Sequence, residues 1–372
     1  MKKYLITSFT FVISLALGTC SNIPIANAST SIITLFEPTH RELNGKFIDD
    51  ELVTQLDMYG RLGSAIFNPP PKPRIWNIDA ALIEDVIAMS QGSSLTSNTP
   101  TVGQAIATTW LMQLAVVTKT DSVYALPFGN PSGYWIHRLS PHDENYFLAA
   151  GKQRLQKLLL RPVKQLAAYP LKRYYKLDVL AMDSYISAIK NMQMVSGLLP
   201  STDFDNLKLR SASFLTDSLD SSRRDFLARN LTATIFDLSH KVHTVPGRFT
   251  ITSPHQKLPI TVVNDFTYPV SVRIGVTTQN SKIVLGHLGS VSLLASSKTQ
   301  ILIPVEVLTS GTSSLSVKLR TSQGYQIGDI ADFPLTLSVI SPVATWITTG
   351  AAITLFAAVI IQSFRRIRRR KA

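Results

Sequence analysis

The sequence predicts a multidomain α+β chain. An incomplete, barrel-like α/β domain occupies residues 29–139, a helical section 140–246 and an immunoglobulin-like β-sandwich 247–340; a transmembrane helix follows at 343–364 and a basic cytoplasmic tail at 365–372. Three observations carry this reading. Strand-like and helical runs alternate in the first third, as they do where a parallel sheet is built with crossover helices. Near Arg248 the apolar period changes from 3.6 to 2. Finally, Val343 to Ile361 is an uncharged apolar run, roughly 28 Å long as a helix and so close to the hydrocarbon thickness of a bilayer.

In the first third, Ser31 to Phe36 is a β-branched run that ends before Pro38. Phe47 to Leu56 reads as a helix, with Asp49, Asp50 and Glu51 in its first turn, where negative charge suits the helix dipole. Pro69 to Pro73 is a stiff spacer leading to a strand at Arg74–Ile78 and a helix from Ala80 to Met89. A Gly/Ser/Thr-rich loop, Gln91 to Thr101, precedes a helix from Val102 to Val117 and a third strand from Ser122 to Leu126. Three such units make a fragment of a barrel or layered sheet.

The middle reads as helical throughout. Ser140-Pro141-His142-Asp143 has the order of a helix start, with a capping residue, Pro at the first position and a carboxylate three residues on, so His142 and Asp143 are read as cap rather than site. Leu227, Leu231, Ile235, Leu238 and Val242 then recur at spacings of three and four, an apolar helix stripe that Pro246-Gly247 ends. Beyond it, Leu258/Ile260/Val262, Val270/Val272/Ile274/Val276, Ile301/Ile303/Val305/Val307, Leu315/Val317/Leu319 and Phe333/Leu335/Leu337/Val339 alternate with mostly polar residues between Ser/Gly/Asn turns, the pattern of a sandwich.

The two ends imply export and anchoring. Lys2 and Lys3, the apolar stretch Tyr4 to Leu17 and Ala26-Asn27-Ala28 fit a cleaved signal peptide at 1–28; Leu17-Gly18-Thr19 before Cys20 leaves lipidation as the competing reading, although Thr suits that position poorly. With Cys20 removed, the mature chain has no cysteine, which excludes thiol nucleophiles, thiolate metal sites and disulfides. Arg365, Arg366, Arg368, Arg369, Arg370 and Lys371 form a stop-transfer signal that places the tail in the cytoplasm and the bulk of the chain outside. Of the net charge of +13, Lys2 and Lys3 supply 2 and the tail 6, leaving 5 on the rest. That mild excess suits anionic headgroups or wall polymers; no basic stripe interleaved with aromatics marks a nucleic-acid surface.

Candidate chemistry sits where parallel strands end, because α/β sheets and barrels bind ligands there. Those positions are Glu37 and His40, then Asp79, then Asn130 and Ser132. Asp79 serves as a helix cap or, in the alternative, as an acid/base or metal-holding group with Glu37. Trp76, Trp110, Tyr134 and Trp135 are core aromatics or, in that same alternative, platforms for sugar rings. Asn130 joins Trp76 and Trp135 as a ligand-binding candidate. The seven histidines lack metal-ligand spacing, and neither a nucleophile elbow nor a phosphate-cradling Gly loop occurs, so no metal or cofactor is expected.

Phe47 to Leu52 followed by Gly60-Arg61-Leu62, Trp76 to Leu82, Ala125 to Pro131, Lys257 to Asp265 and Pro269 to Arg273, in that order and before a spanning helix with an Arg-rich tail, resemble an uncharacterised actinobacterial family of exported single-pass membrane proteins, domain of unknown function 6049. The resemblance covers nearly the whole mature chain. Members are commonly encoded beside the lipid II flippase, which implies a part in peptidoglycan assembly. The family pattern carries acidic residues where this chain has Asn130 and Ser132, and an amide and a hydroxyl cannot replace carboxylates in metal-assisted or glycosidic chemistry. The expectation is therefore a non-catalytic interaction or scaffold factor meeting the membrane and cell-wall glycan or wall-synthesis and export proteins. A carbohydrate-active hydrolase or deacetylase-like enzyme is the alternative.

Overall fold

A computed structural model describes residues 30–92, 100–170, 174–286, 288–338 and 342–370. The signal peptide, Cys20, most of the loop after Gln91, Val339 and Lys371 lie outside the described residues. Strands and helices alternate up to His240, and strands alone follow from Val242 to Leu337, whereas the sequence puts the change of character near Arg248.

Four strands, β1 (Ser31–Leu35), β2 (Arg74–Ile78), β3 (Ser122–Ala125) and β4 (Lys164–Gln165), form one parallel sheet in the order β1-β2-β3-β4. Parallel neighbours in sequential order require a crossover between each pair. Helices α1 (Glu51–Leu56), α2 (Arg61–Phe67), α3 (Ala80–Ser90) and α4 (Pro100–Thr118) supply the first two crossovers, and α5 (Gly133–Leu139) with α6 (Glu144–Leu159) the third. The sheet thus takes its fourth strand from the stretch read as a separate helical section. A single hydrophobic cluster runs from Leu35 through Trp76, Trp110, Phe128 and Tyr185 to Ile235, so packing continues across residues 139–140.

Three local expectations change. Phe47 is not helical: it bridges Arg41, and α1 begins only at Glu51. Ser140 does not cap with its side chain, because Oγ lies 3.0 Å from the Tyr185 hydroxyl; only a short 3-10 turn, Pro141–Asp143, precedes α6. The helix α9 (Ser221–His240), which follows α7 (Val179–Val195) and α8 (Ser201–Ser211), ends before Val242, and that residue belongs to strand β5 (Val242–Thr244), opposite Asn264. Its burial, which extended the apolar stripe by one step, is burial in the sandwich.

The sandwich comprises β5, β6 (Phe249–Ile251), β7 (His255–Asn264), β8 (Val270–Thr278), β9 (Ile283–Leu285), β10 (Ser290–Leu293), β11 (Ser297–Val307), β12 (Gly311–Arg320) and β13 (Gln326–Leu337). One sheet has the order β10-β8-β12-β13-β6 and the other β5-β7-β11-β9. Strands β7 and β11 pair from Ser297↔Asn264 to Glu306↔His255. Alternate residues, Leu258, Ile260 and Val262 against Ile301, Ile303 and Val305, enter a second apolar cluster with Leu315, Val317, Phe333 and Leu335. Leu199 and Leu238 pack against both clusters. After β13 comes α10 (Pro342–Arg370), whose segment Trp346–Ser363 is long and apolar enough to cross a membrane, with none of it buried.

Candidate functional site

The C-terminal edge of the parallel sheet is where the strand-end residues meet. Asp79 follows β2 directly, and the apolar run Ala80–Val86 that begins α3 makes it the N-cap. Its Oδ1 accepts the Ala81 amide at 3.0 Å and also the Gly129 amide at 2.9 Å, so one carboxylate oxygen joins the end of β2 to the turn after β3. That turn needs two successive positive φ angles, 70° at Gly129 and 43° at Asn130, which is why Gly-Asn stands there. Asp79 is fully buried, and its Oδ2 has no hydrogen-bond partner among the described residues. Burial pushes its pKa up to about 7 against the lowering effect of the two amides.

A proton on Asp79 is therefore exchangeable near neutral pH by energy, but the approach is built over. The short turn Ser213–Leu215 lies on the Gly129 loop: a Cβ on Gly129 would come within 3.0 Å of Ser213, and the Ser132 amide donates to the Leu215 carbonyl at 2.9 Å. Asn130 and Ser132 are buried beneath it, and Ser132 Oγ has no hydrogen-bond partner among the described residues. The rest of the edge is closed by ion pairs. Glu84 and Asp85 of α3 receive Arg154 from α6, Arg210 from α8 and Arg41 from the loop after β1, at 2.8 to 3.3 Å. Arg154 and Arg210 also lie over the Phe128 ring. Only tertiary structure brings these five charges together; the adjacent Glu84-Asp85 pair on a helix that is otherwise apolar was the sequence signal available.

Glu37 and His40 belong to a second cluster. His40 is buried, with Nδ1 2.6 Å from Asp49 Oδ1 and Nε2 3.7 Å from Glu37 Oε1. Burial disfavours its charge, but the Asp49 and Glu37 carboxylates outweigh burial and raise its pKa to about 9. Burial likewise raises Glu37, while His40 and Arg61 outweigh it and hold the carboxyl below its usual range. Arg61 pairs with Glu37, and Arg223 of α9 takes Asp49 at 2.9 Å and Glu51 at 2.6 Å. The donor atoms of His40, Asp49 and Glu51 lie within 4.8 Å of one another, a spacing that fits a metal ion. A cation placed there would compete with the His40 proton and with Arg223 for the same atoms.

Among the described residues, Glu37 and Asp79 thus fall into clusters without a shared partner, rather than standing as a pair. Trp76 and Trp110 are fully buried, donating to Asp121 Oδ2 at 2.9 Å and to the Leu62 carbonyl at 3.1 Å, so Trp76 presents no ring face to a sugar. Trp135 is buried too, its Nε1 donating to the Tyr175 carbonyl, beneath the more exposed Tyr134 and Tyr174. Asp143 pairs with Lys208 at 2.7 Å. Of the tail cations, Arg365 and Arg366 continue α10, whose helix extends to Arg370. A groove of about 580 Å³ lies elsewhere, between α8, α9 and the turn at Phe266–Tyr268.

The profile of a family described as "Family of unknown function (DUF6049)" matches residues 178–371. No curated protein matches the chain. Similar solved structures include WR4, an MSP family member of C. elegans, at 7% identity over 26% of this chain and 97% of that one, with a TM-score of 0.21. Native alpha-2-macroglobulin from Escherichia coli, from domain MG7 to the C-terminus, is 15% identical over 26% of this chain and 16% of its own length, with a TM-score of 0.21. The ASH / PapD-like domain of human CEP192 is 12% identical over 27% of this chain and 85% of that one, again at 0.21.

Proposed function

The chain belongs to the DUF6049 family, and from that premise we propose that it is a membrane-anchored extracytoplasmic envelope protein, a non-catalytic interaction or scaffold factor in peptidoglycan assembly. The observation that carries the reading is the use made of the strand-end carboxylates. Asp79 ties two strand ends together under a covering turn, and Glu37 holds His40 and Arg61. Both act as fold-forming groups, where a hydrolase would need a carboxylate facing substrate. Anchoring is supported by the fully exposed apolar helix Trp346–Ser363, and orientation by the cations at its C-terminal end, which favour the cytoplasmic side. Cell-wall glycan and wall-synthesis or export proteins are the partners that fit this setting.

Depletion of the protein, complemented by the parent chain or by a Glu37→Gln/Asp79→Asn variant, tests the reading. Restored envelope growth with the double variant is the expected result; a variant that folds, inserts and fails to complement would instead favour the carbohydrate-active hydrolase or deacetylase-like alternative. Protease added to intact protoplasts should digest residues 29–342 and spare a C-terminal tag. Survival of the β-domain in that assay rules out the proposed orientation.

A further inference from the structure

The end of the sandwich from which α10 departs is tightly organised. Leu337, the last residue of β13, pairs with Gly311 on one side and Ile251 on the other. At that same end the Ser338 amide donates to the Ile251 carbonyl, Val307 to Pro254 and Leu308 to Lys282, all at 2.7 to 2.8 Å. Asn280 fixes the intervening turn, donating to the Thr312 carbonyl and accepting from Lys282 and Ser313. Residues 252–254, 279–282 and 308–310 therefore form one rigid face around the point of departure. Their chemistry is distinctive: hydroxyls and amides, no carboxylate, one cation at Lys282, and a large apolar side chain, Leu308, that is 56% exposed. Lys282 Nζ lies over Gly311, 2.7 Å from where a Cβ would stand, and so beside the strand that leads to the anchor. The carboxylate of Glu306 stands one step back along β11, on its exposed face and opposite His255.

Chain length then limits where this face can go. Three residues lie between Ser338 and Pro342, so the span is four residue steps, at most about 14 Å even when fully extended. Trp346, at the start of the spanning segment, is an interfacial type of residue one helical turn further on. Resting on the proposed membrane anchoring, we infer that this face contacts lipid headgroups, with Leu308 reaching the headgroup–acyl boundary and Lys282 meeting anionic phosphates. Hydroxyls and amides suit the headgroup layer, and the absence of carboxylates in the three loops removes repulsion from an anionic leaflet.

Leu294 offers a matched control, since it is 70% exposed and stands beyond the other end of β11, a strand of 11 residues and hence roughly 35 Å from Leu308. In a Cys20→Ser background, Leu308→Cys, Leu294→Cys and Ala352→Cys are each labelled with an environment-sensitive fluorophore. The full chain is then reconstituted in phosphatidylglycerol-containing bilayers that carry a headgroup-linked or an acyl-linked nitroxide. The expected result is strong headgroup quenching at Leu308, several-fold above that at Leu294, and acyl quenching at Ala352. Lys282→Gln should lower the ratio of contacting to free molecules at Leu308 about fivefold. Equal quenching at Leu308 and Leu294 while Ala352 is quenched overturns the headgroup contact alone. A Leu308 label shielded only at high protein density, and not by lipid quencher, assigns the face to a second copy and also overturns it. An unquenched Ala352 removes the anchoring on which the inference rests.

Discussion

Asp79 accepts the amide proton of Gly129 at 2.9 Å across fifty residues of chain, with the same oxygen that caps α3. Two strand ends and one helix start are thereby fastened to a single buried atom.

Asp79→Ala leaves both amides without an acceptor, and a buried unpaired donor costs on the order of 1–3 kcal/mol. Denaturant unfolding of the soluble portion should show a loss of about 2 kcal/mol or more. Because the folded pKa of Asp79 is raised to about 7, the native state holds a proton that the unfolded state has released. Its contribution is fully present below the ordinary aspartate pKa and declines as pH rises to about 7. Asp79→Asn keeps an acceptor oxygen and abolishes the titration, so its stability curve should be flatter between pH 4 and 7. An unchanged slope contradicts this account.

His40 predicts the opposite region of the pH scale. Its pKa is raised from 6.5 to about 9, so the stability it contributes is complete below pH 6.5 and is lost as pH rises through about 9. Thermal melting across this range should show a decline that His40→Gln lacks.

Asp121 binds the far, N-terminal edge of the sheet, accepting from Arg74 Nε at 2.8 Å and Trp76 Nε1 at 2.9 Å. Burial raises its pKa, but Trp76, Arg74 and Lys72 outweigh that and hold the carboxyl below its usual range. Asp121→Ala strands a largely buried guanidinium and an indole N–H, and should cost about 3 kcal/mol in the same unfolding experiment. A change below about 0.5 kcal/mol, the size of an ordinary surface substitution, contradicts the role assigned here.

The sandwich should fold alone, and more stably with β5 than when it begins at Arg248. A fragment of residues 241–338 retains β5, which pairs with Val262–Asn264; one of residues 248–338 exposes that stretch. Both should give helix-free β circular dichroism, with the longer fragment unfolding at higher denaturant. Equal midpoints would mean that β5 contributes nothing to the sandwich.

The legible parts were those where one residue's neighbours in sequence are also its structural neighbours. Asp79 reads as a cap because the apolar run beginning at Ala80 follows it, and β7 and β11 read as strands because Leu258–Val262 and Ile301–Val305 alternate. Strand β4 is two exposed polar residues, Lys164 and Gln165, and carries no apolar period at all. Val242 continued a helical stripe only because its burial comes from a different core. Ser140 had the right chemistry for a cap, and Tyr185, forty-five residues away, claimed its hydroxyl. The same holds for the closed sheet edge: Glu84 meets Arg210 at a separation of 126 residues, which no local pattern encodes.

Leu199 and Leu238 straddle the boundary between the two apolar clusters. A swivel requires a seam that can slip, and side chains wedged into both bodies resist slippage. The ten-residue strand β7 then acts as a ruler, roughly 33 Å from its start at the anchor end to its finish beside the turn at Phe266. On the anchoring proposed above, that length would set how far from the bilayer the parallel sheet meets a partner, a selection by distance that precedes any selection by side-chain chemistry.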